Sequence, residues 1–226
     1  MLNQMDQTKT LIEKCTLLCQ THFGNHPQHI EFMDHQFGYS FWLEQLVDWT
    51  DSRLPTSSDT QYLYVHTLLH EYISPLLQKA IIKSTGKSIF YVFIDWKSDI
   101  NVGCMTFVFS DWISTVPQKD YAGKQQIHDA ISEISHEIEN PPSFIESFWV
   151  NEQTLVVIRA GFVMQLEQKL VNKGFSKQLR IAKRELELEL IENSINYDSI
   201  LGKSLHMTFL DWNPHKDIST LILLFQ

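Results

Sequence analysis

The segment Gly86-Lys87-Ser88-Ile89-Phe90-Tyr91-Val92-Phe93-Ile94-Asp95-Trp96 returns 116 positions later as Gly202-Lys203-Ser204-Leu205-His206-Met207-Thr208-Phe209-Leu210-Asp211-Trp212. Six of the eleven positions are identical, whereas unrelated positions of ordinary composition match about one time in twenty. Phe109 and Phe225 share the same offset. The chain therefore contains a tandem duplication of a unit of about 100 residues, which is long enough to bury a small core.

Hydrophobic periodicity gives both units the element order α-β-β-α-β-β, with short turns between neighbouring strands. Such hairpins predict an α+β fold in which each unit is a mostly antiparallel sheet with helices packed on one face. The expected units are residues 1–113 and 125–226, joined by a linker at 114–124. The expected elements cover residues 4–22, 30–33, 39–46, 62–83, 88–96 and 102–109 in the first unit, and 125–139, 144–150, 154–159, 163–196, 205–212 and 218–225 in the second.

Two residues should interrupt the longer helices, since Pro75 and Gly174 lie inside their helical patterns. On the third strand of each unit, simple alternation predicts which side chains meet the helices. The helix-facing rows are expected to be Ile89, Tyr91 and Phe93, and Leu205, Met207 and Phe209. The opposite row of the first unit, Phe90, Val92 and Ile94, is also apolar. We expect that row to be covered by the second unit, another copy of the chain or a partner.

The composition excludes some classes of protein. The 226 residues carry a formal net charge of −9, so neither half is a basic nucleic-acid-binding module. No apolar run is long enough to cross a bilayer, and the first residues lack the basic and apolar regions of an export signal. Three cysteines cannot all pair, which is typical of a reduced, cytoplasmic protein.

The Gly-Lys-Ser triplets at Gly86 and Gly202 superficially resemble a phosphate-binding loop. Such a loop needs a glycine five residues before the Gly-Lys pair, and it leads from a strand into a helix. Ile81 and Tyr197 occupy the positions of that glycine, and here a helix precedes a strand. The glycines are therefore interpreted as helix ends. Asp95-Trp96 and Asp211-Trp212 hold matching positions in the two units, and each aspartate is expected to cap the following turn, with a ligand contact as the alternative.

No metal or cofactor site is predicted. His66 and His70 have a spacing that can bind zinc, but Thr67 stands where a zinc peptidase motif has its glutamate. Cys15 and Cys19 lie on the apolar face of the first helix, which is typical of buried, unreactive cysteine.

Six cations and no acid occur between residues 169 and 184, and they are followed by a run of glutamates. This stretch is either a solvated helix face or a basic surface for an anionic lipid or an acidic partner. The cations are Lys169, Lys173, Lys177, Arg180, Lys183 and Arg184.

The second unit resembles a small bacterial family described as the C component of a sodium-translocating, membrane-potential-generating system (MpsC-like). Three segments carry the resemblance: 142–145, 154–162 and 166–170, which hold a proline and a strand, a second strand with a Gly-containing turn, and a helix opening. A basic helix and a strand ending in aspartate follow. The matching residues are Arg159, Gly161, Glu167, Leu170, Arg180, Arg184 and Asp211. The first unit matches this pattern poorly.

The resemblance implies a non-enzymatic accessory or interaction module linked to a membrane ion-translocating system. Without a transmembrane segment the chain itself is not expected to be the pore. One alternative is a regulatory domain that binds a small ligand or anion through Arg159, Lys177, Arg180 and Arg184. Another is an enzyme that uses Asp95 or Asp211 with a histidine. The expected partner is a protein or a membrane-associated complex, and homo-oligomerisation stays open.

Overall fold

The computed structural model describes residues 4–35, 37–112 and 120–226. The chain divides into two compact units, Met1–Val116 and Pro117–Gln226. The linker expected at 114–124 falls largely on residues 113–119, which lie outside the described residues.

The first unit begins with helix α1 (Gln4–Phe23) and the hairpin β1 (His29–His35) and β2 (Gly38–Glu44). A long helical run follows, made of α2 (Ser58–Thr67), a π-helical stretch (Leu68–Ile73) and α3 (Ser74–Thr85). The hairpin β3 (Ile89–Lys97) and β4 (Val102–Phe109) completes the unit. The π-helical stretch ends just before Pro75, which has no N–H to donate to the carbonyl of Glu71, so the expected disturbance is confirmed.

The second unit begins with α4 (Lys124–Ile138) and the hairpin β5 (Phe144–Trp149) and β6 (Thr154–Ala160). Three helices follow: α5 (Gln165–Asn172), α6 (Ser176–Ser194) and the short α7 (Tyr197–Leu201). The hairpin β7 (Leu205–Asn213) and β8 (Ile218–Phe225) ends the chain. Gly174 separates α5 from α6 with a φ of 90°, a left-handed conformation that glycine adopts without steric cost. The predicted interruption is therefore confirmed.

Each unit contains a four-stranded antiparallel sheet, with strand orders β1-β2-β4-β3 and β5-β6-β8-β7 in the described residues. The pairs Gly38–Val108 and Thr154–Leu224 differ by 116 positions in both members. A β-bulge also recurs, between Ile89 and Tyr91 and between Leu205 and Met207. The predicted α+β fold with two similar units is confirmed.

The side chains of β7 that meet the helices are not those expected from simple alternation. The core between the sheet and helices α4 and α6 contains Leu210, with Leu205 at its margin, whereas Phe209 was expected there. The bulge after Leu205 adds one residue to the strand and inverts the alternation beyond it.

The row of β3 that was expected on the side opposite the helices, Phe90, Val92 and Ile94, is not fully exposed to solvent. Ile94, the counterpart of Leu210, is fully buried. Phe90 and Val92 are half-buried.

No helix in the described ranges combines the length and the hydrophobicity needed to cross a membrane.

Candidate functional site

Five charged side chains converge inside the second unit. Glu139 directly follows α4, Arg159 lies on β6, Glu167 on α5, and Lys183 and Glu187 on α6. All five are buried, and Arg159 and Glu187 are 0% exposed. Charged residues are almost never so deeply buried unless they are paired. We call these five residues the buried charge cluster.

Arg159 is at the centre of the cluster. Its Nη2 lies 2.6 Å from Glu187 Oε1, and its Nη1 lies 3.8 Å from Glu139 Oε1. The guanidinium also donates hydrogen bonds to Ser135 Oγ (2.9 Å) and to Ser219 Oγ (2.7 Å). The planar guanidinium suits several partners at once, so one arginine joins α4, α6 and β8.

Lys183 occupies the other side of the cluster. Its Nζ forms ion pairs with Glu139 Oε2 and with Glu167 Oε1 (3.1 Å). It also lies 4.1 Å from the ring centroid of Trp212 and 4.7 Å from that of Phe162, at distances typical of cation–π contacts. Lys183 thereby holds α6 against α5 and β7.

The cluster holds one more carboxylate than it holds cations, since Glu139, Glu167 and Glu187 face Arg159 and Lys183. Burial, and next the negative charge of Glu187, raise the pKa of Glu139 to about 7, although Lys183 and Arg159 act in the opposite direction. The oxygens of Glu139 and Glu187 accept no well-directed hydrogen bond from the described residues, so their pairing is ionic. Burial therefore favours the neutral form of Glu139 in a cluster that has one cation too few.

Arg180 lies beside the cluster and is also paired. It forms an ion pair with Asp211, and its Nη2 donates a 3.1 Å hydrogen bond to the carbonyl of Trp212. Two cations of the predicted anion site, Arg159 and Arg180, are thus already bound to carboxylates.

The remaining cations of the basic stretch are distributed differently. Lys169, Lys173 and Lys177 are exposed, and none of them has a carboxylate within ion-pair distance among the described residues. Arg184 is half-buried on α6. Because Gly174 separates the two helices, Lys173 and Lys177 do not share a helix face.

Asp95 and Asp211 take equivalent register positions, opposite Cys104 and Thr220. In both units the aspartate Oδ1 accepts the backbone N–H of the following tryptophan, Trp96 or Trp212, at 2.8 Å. Their equivalence is confirmed, but the expected capping role at the second hairpin is performed by another residue. Strand β7 continues to Asn213, whose Oδ1 accepts the N–H groups of His215 and Lys216 at the turn.

The structure also shows where the histidines, cysteines and glycines considered in the sequence lie. His66 and His70 stack with ring centroids 5.7 Å apart, and no group of three or more His, Cys, Asp or Glu in the described ranges is placed to hold a metal ion. Cys15, Cys19 and Cys104 are free thiols buried in the first unit. Gly86 and Gly202 follow α3 and α7 as C-caps, so the interpretation as helix ends is confirmed.

Two members of the cluster and two of its hydrogen-bond partners have smaller or apolar residues at the same positions of the first unit. At the offset of 116 that the strand registers share, Arg159 corresponds to Leu43 and Glu139 to Phe23, while Ser135 and Ser219 correspond to Cys19 and Gly103. Leu43, Phe23 and Cys19 are buried. A comparison of the two halves was the signal that could have identified the cluster, since charges in the second half replace core residues of the first.

No family model matches this chain, and searches of the curated proteins and of the solved structures find no match either.

Proposed function

We propose that the chain is a non-enzymatic, cytoplasmic accessory module that binds an anionic membrane surface, as part of a membrane-associated ion-translocating system. The system is suggested by the MpsC-like resemblance of the second unit. The observation that carries the membrane contact is the exposed surface of the α5–α6 junction, which combines apolar side chains with exposed lysines.

The apolar part of this surface is Leu166, which is 64% exposed, and Phe175, which is 49% exposed. Leu166, Lys169 and Lys173 are spaced three and four residues apart and so share one side of the α5 helix and its C-terminal end. Large apolar side chains that enter the lipid headgroup region, with lysines around them, are the pattern of a helix lying in a membrane interface. We call Leu166, Lys169, Lys173 and Phe175 the α5–α6 surface.

Local charge outweighs net charge in this contact. The chain is acidic overall, but charges further away than about 8 Å are largely screened at physiological ionic strength. Each lysine near an anionic leaflet contributes about 1 kcal/mol. The α5–α6 surface can therefore bind an anionic bilayer on an otherwise acidic protein.

The alternative function, a regulatory domain for a small anion, would need Arg159 or Arg180 to leave Glu187 or Asp211. Breaking such a pair leaves a buried charge without compensation. The α5–α6 surface needs no rearrangement, and it is therefore favoured.

Vesicle flotation tests this function. The full chain should float with phosphatidylcholine vesicles that contain phosphatidylglycerol and not with pure phosphatidylcholine, and added salt should weaken the binding. The variant Lys169→Glu/Lys173→Glu should lose the binding. Lys79→Glu/Lys83→Glu makes the same change of net charge on exposed positions of α3 and should leave the binding intact. Equal losses in both variants, or no binding by the wild type, would overturn the proposal.

A further inference from the structure

We propose that the second unit contains a buried proton-binding site, formed by Glu139, Glu187 and Arg159, whose occupancy controls how tightly α5 and α6 pack on the sheet. The inference rests on the geometry of the buried charge cluster and is independent of membrane binding.

The buried charge cluster is not electrically neutral when all its groups are ionised. Three carboxylates and two cations give it one uncompensated negative charge when every group is ionised. An uncompensated charge in a dry interior is strongly unfavourable, and a protein removes it by binding a counter-charge or by protonating a group. The cluster therefore needs one positive charge that its own side chains do not supply.

A proton can supply that positive charge more easily than a metal cation can. Glu139 and Glu187 both bind the guanidinium of Arg159, and Lys183 also contacts Glu139. A metal ion would have to sit beside two fixed cations and would need several oxygen ligands. A proton needs only one carboxylate oxygen. Glu139 Oε1, which lies 3.8 Å from Arg159 Nη1, and Glu187 Oε2 are buried, have no hydrogen-bond partner among the described residues and are available for it.

Charged groups on several elements surround Glu139. Arg159 faces it from β6 and Lys183 from α6, and both lower its pKa. Glu187, also on α6, raises it, and burial raises it most. Glu167 on α5 is paired with Lys183, and Asp211 on β7 is paired with Arg180. Because burial and Glu187 outweigh the cations, the pKa of Glu139 is about 7.

The proton is coupled to helices α5 and α6 through the side chains that pair within the cluster. Lys183 and Glu187 lie one turn apart on α6, and both pair within the cluster. Glu167 fixes α5 to Lys183, and its other oxygen accepts the Met164 N–H at the start of that helix. When Glu139 loses its proton, two carboxylates repel across Arg159, and the repulsion acts on α6. Loss of the proton should therefore loosen α6 and the attached α5.

The sign of the linkage follows from the pKa values. Burial raises the pKa of Glu139 from its ordinary value of 4.5 to about 7 in the folded chain, so the folded state binds the extra proton between these pH values. The stability from this group falls as pH rises from about 4.5 to about 7 and is constant above.

Two measurements on the full chain test the inference. Carbon-13 NMR of the glutamate carboxyl groups should show Glu139 titrating near pH 7, and Glu187→Gln should lower that midpoint by removing the neighbouring charge. Hydrogen exchange, corrected for its intrinsic pH dependence, should show α5 and α6 losing protection about one pH unit above the midpoint compared with one unit below. Helices α1 and α3 are the internal control and should keep their protection, because the first unit has Phe23 and Leu43 at the positions of Glu139 and Arg159.

The variant Glu139→Gln mimics the protonated carboxyl and should abolish the pH dependence in α5 and α6. A midpoint for Glu139 near 4.5, or unchanged pH dependence in Glu139→Gln, would overturn the proposal. If Glu139→Gln does not fold, the wild-type titration and the Glu187→Gln shift decide alone. Vesicle binding has no part in these readouts, so the two proposals can fail separately.

Discussion

At the scale of single residues, the first unit contains a half-buried titratable group with the opposite behaviour to Glu139. The Nε2 of His35 lies 2.8 Å from Ser40 Oγ, and its ring stacks on Phe37 with centroids 3.9 Å apart. Burial lowers the pKa of His35 to about 3. His35 is therefore neutral in the folded chain across the range in which an ordinary histidine gains its charge.

This displacement predicts acid sensitivity. Because the pKa of His35 in the folded chain lies below its ordinary value of 6.5, its contribution to stability is complete above pH 6.5 and is lost as pH falls towards about 3. His35→Gln keeps a neutral polar group but does not titrate. The difference in urea-unfolding midpoint between wild type and His35→Gln should therefore shift in favour of the variant as pH falls through this range.

The control is Glu139→Gln, whose advantage over the wild type should instead grow as pH rises from about 4.5 to about 7. Parallel pH profiles for wild type and His35→Gln would show that His35 titrates alike in the folded and unfolded chains.

At the scale of elements, two glycines with positive φ determine how α5 is joined to its neighbours. Gly161, between β6 and α5, has a φ of 74°, and an added Cβ would lie 1.8 Å from Ser143 Oγ. Gly174, between α5 and α6, has a φ of 90° and would meet nothing within 4 Å. A residue with a side chain would be strained at either position because φ is positive, but only Gly161 is also confined by a neighbour.

Alanine substitutions should separate these two effects. Gly174→Ala should cost about 1–2 kcal/mol, which is the left-handed conformation alone. Gly161→Ala should cost clearly more in a denaturant titration, because Ser143 must move as well. Adding Ser143→Ala should recover only part of the loss, since the Ser143 Cβ would still be 2.8 Å away. Equal costs at the two glycines would mean that the turn at Gly161 relaxes freely.

The elements also show what sequence patterns can and cannot predict. Periodicity and punctuation predicted the order of helices and strands, as well as the interruptions at Pro75 and Gly174, because these depend on local backbone chemistry. The inward face of β7 was predicted wrongly. A bulge inverts alternation, and nothing in the local pattern of Leu205 to Leu210 marks it.

At the scale of the whole molecule, one fold has acquired two different cores. The shared strand registers put Leu43 where Arg159 stands, and the same sequence offset puts Phe23 where Glu139 stands. The sequence alone suggested an exposed basic helix at 169–184, because a run of cations is normally solvated. Burial of Lys183 could not be inferred from that run, since it depends on Glu139 and Glu167, which lie outside the helix that carries Lys183.

This divergence leads to a prediction about the cost of the cluster. Arg159→Leu, which installs the residue of the first unit, should destabilise the protein by about 3–5 kcal/mol, because Glu139 and Glu187 then lack their shared partner. Arg159→Leu combined with Glu139→Phe and Glu187→Gln should recover most of that loss. The remaining pair, Lys183 with Glu167, is balanced, and replacing a buried ion pair by apolar residues is often neutral.

Urea unfolding of the full chain measures both variants, and hydrogen exchange in α6 shows whether the change lies in the second unit. The triple variant should also lose the pH dependence of α6, since neither Glu139 nor Glu187 is left to hold the proton. If the triple variant is as unstable as the single change, the apolar residues of the first unit do not fit here. The charges would then be required by the shape of the second core as well as by its proton chemistry.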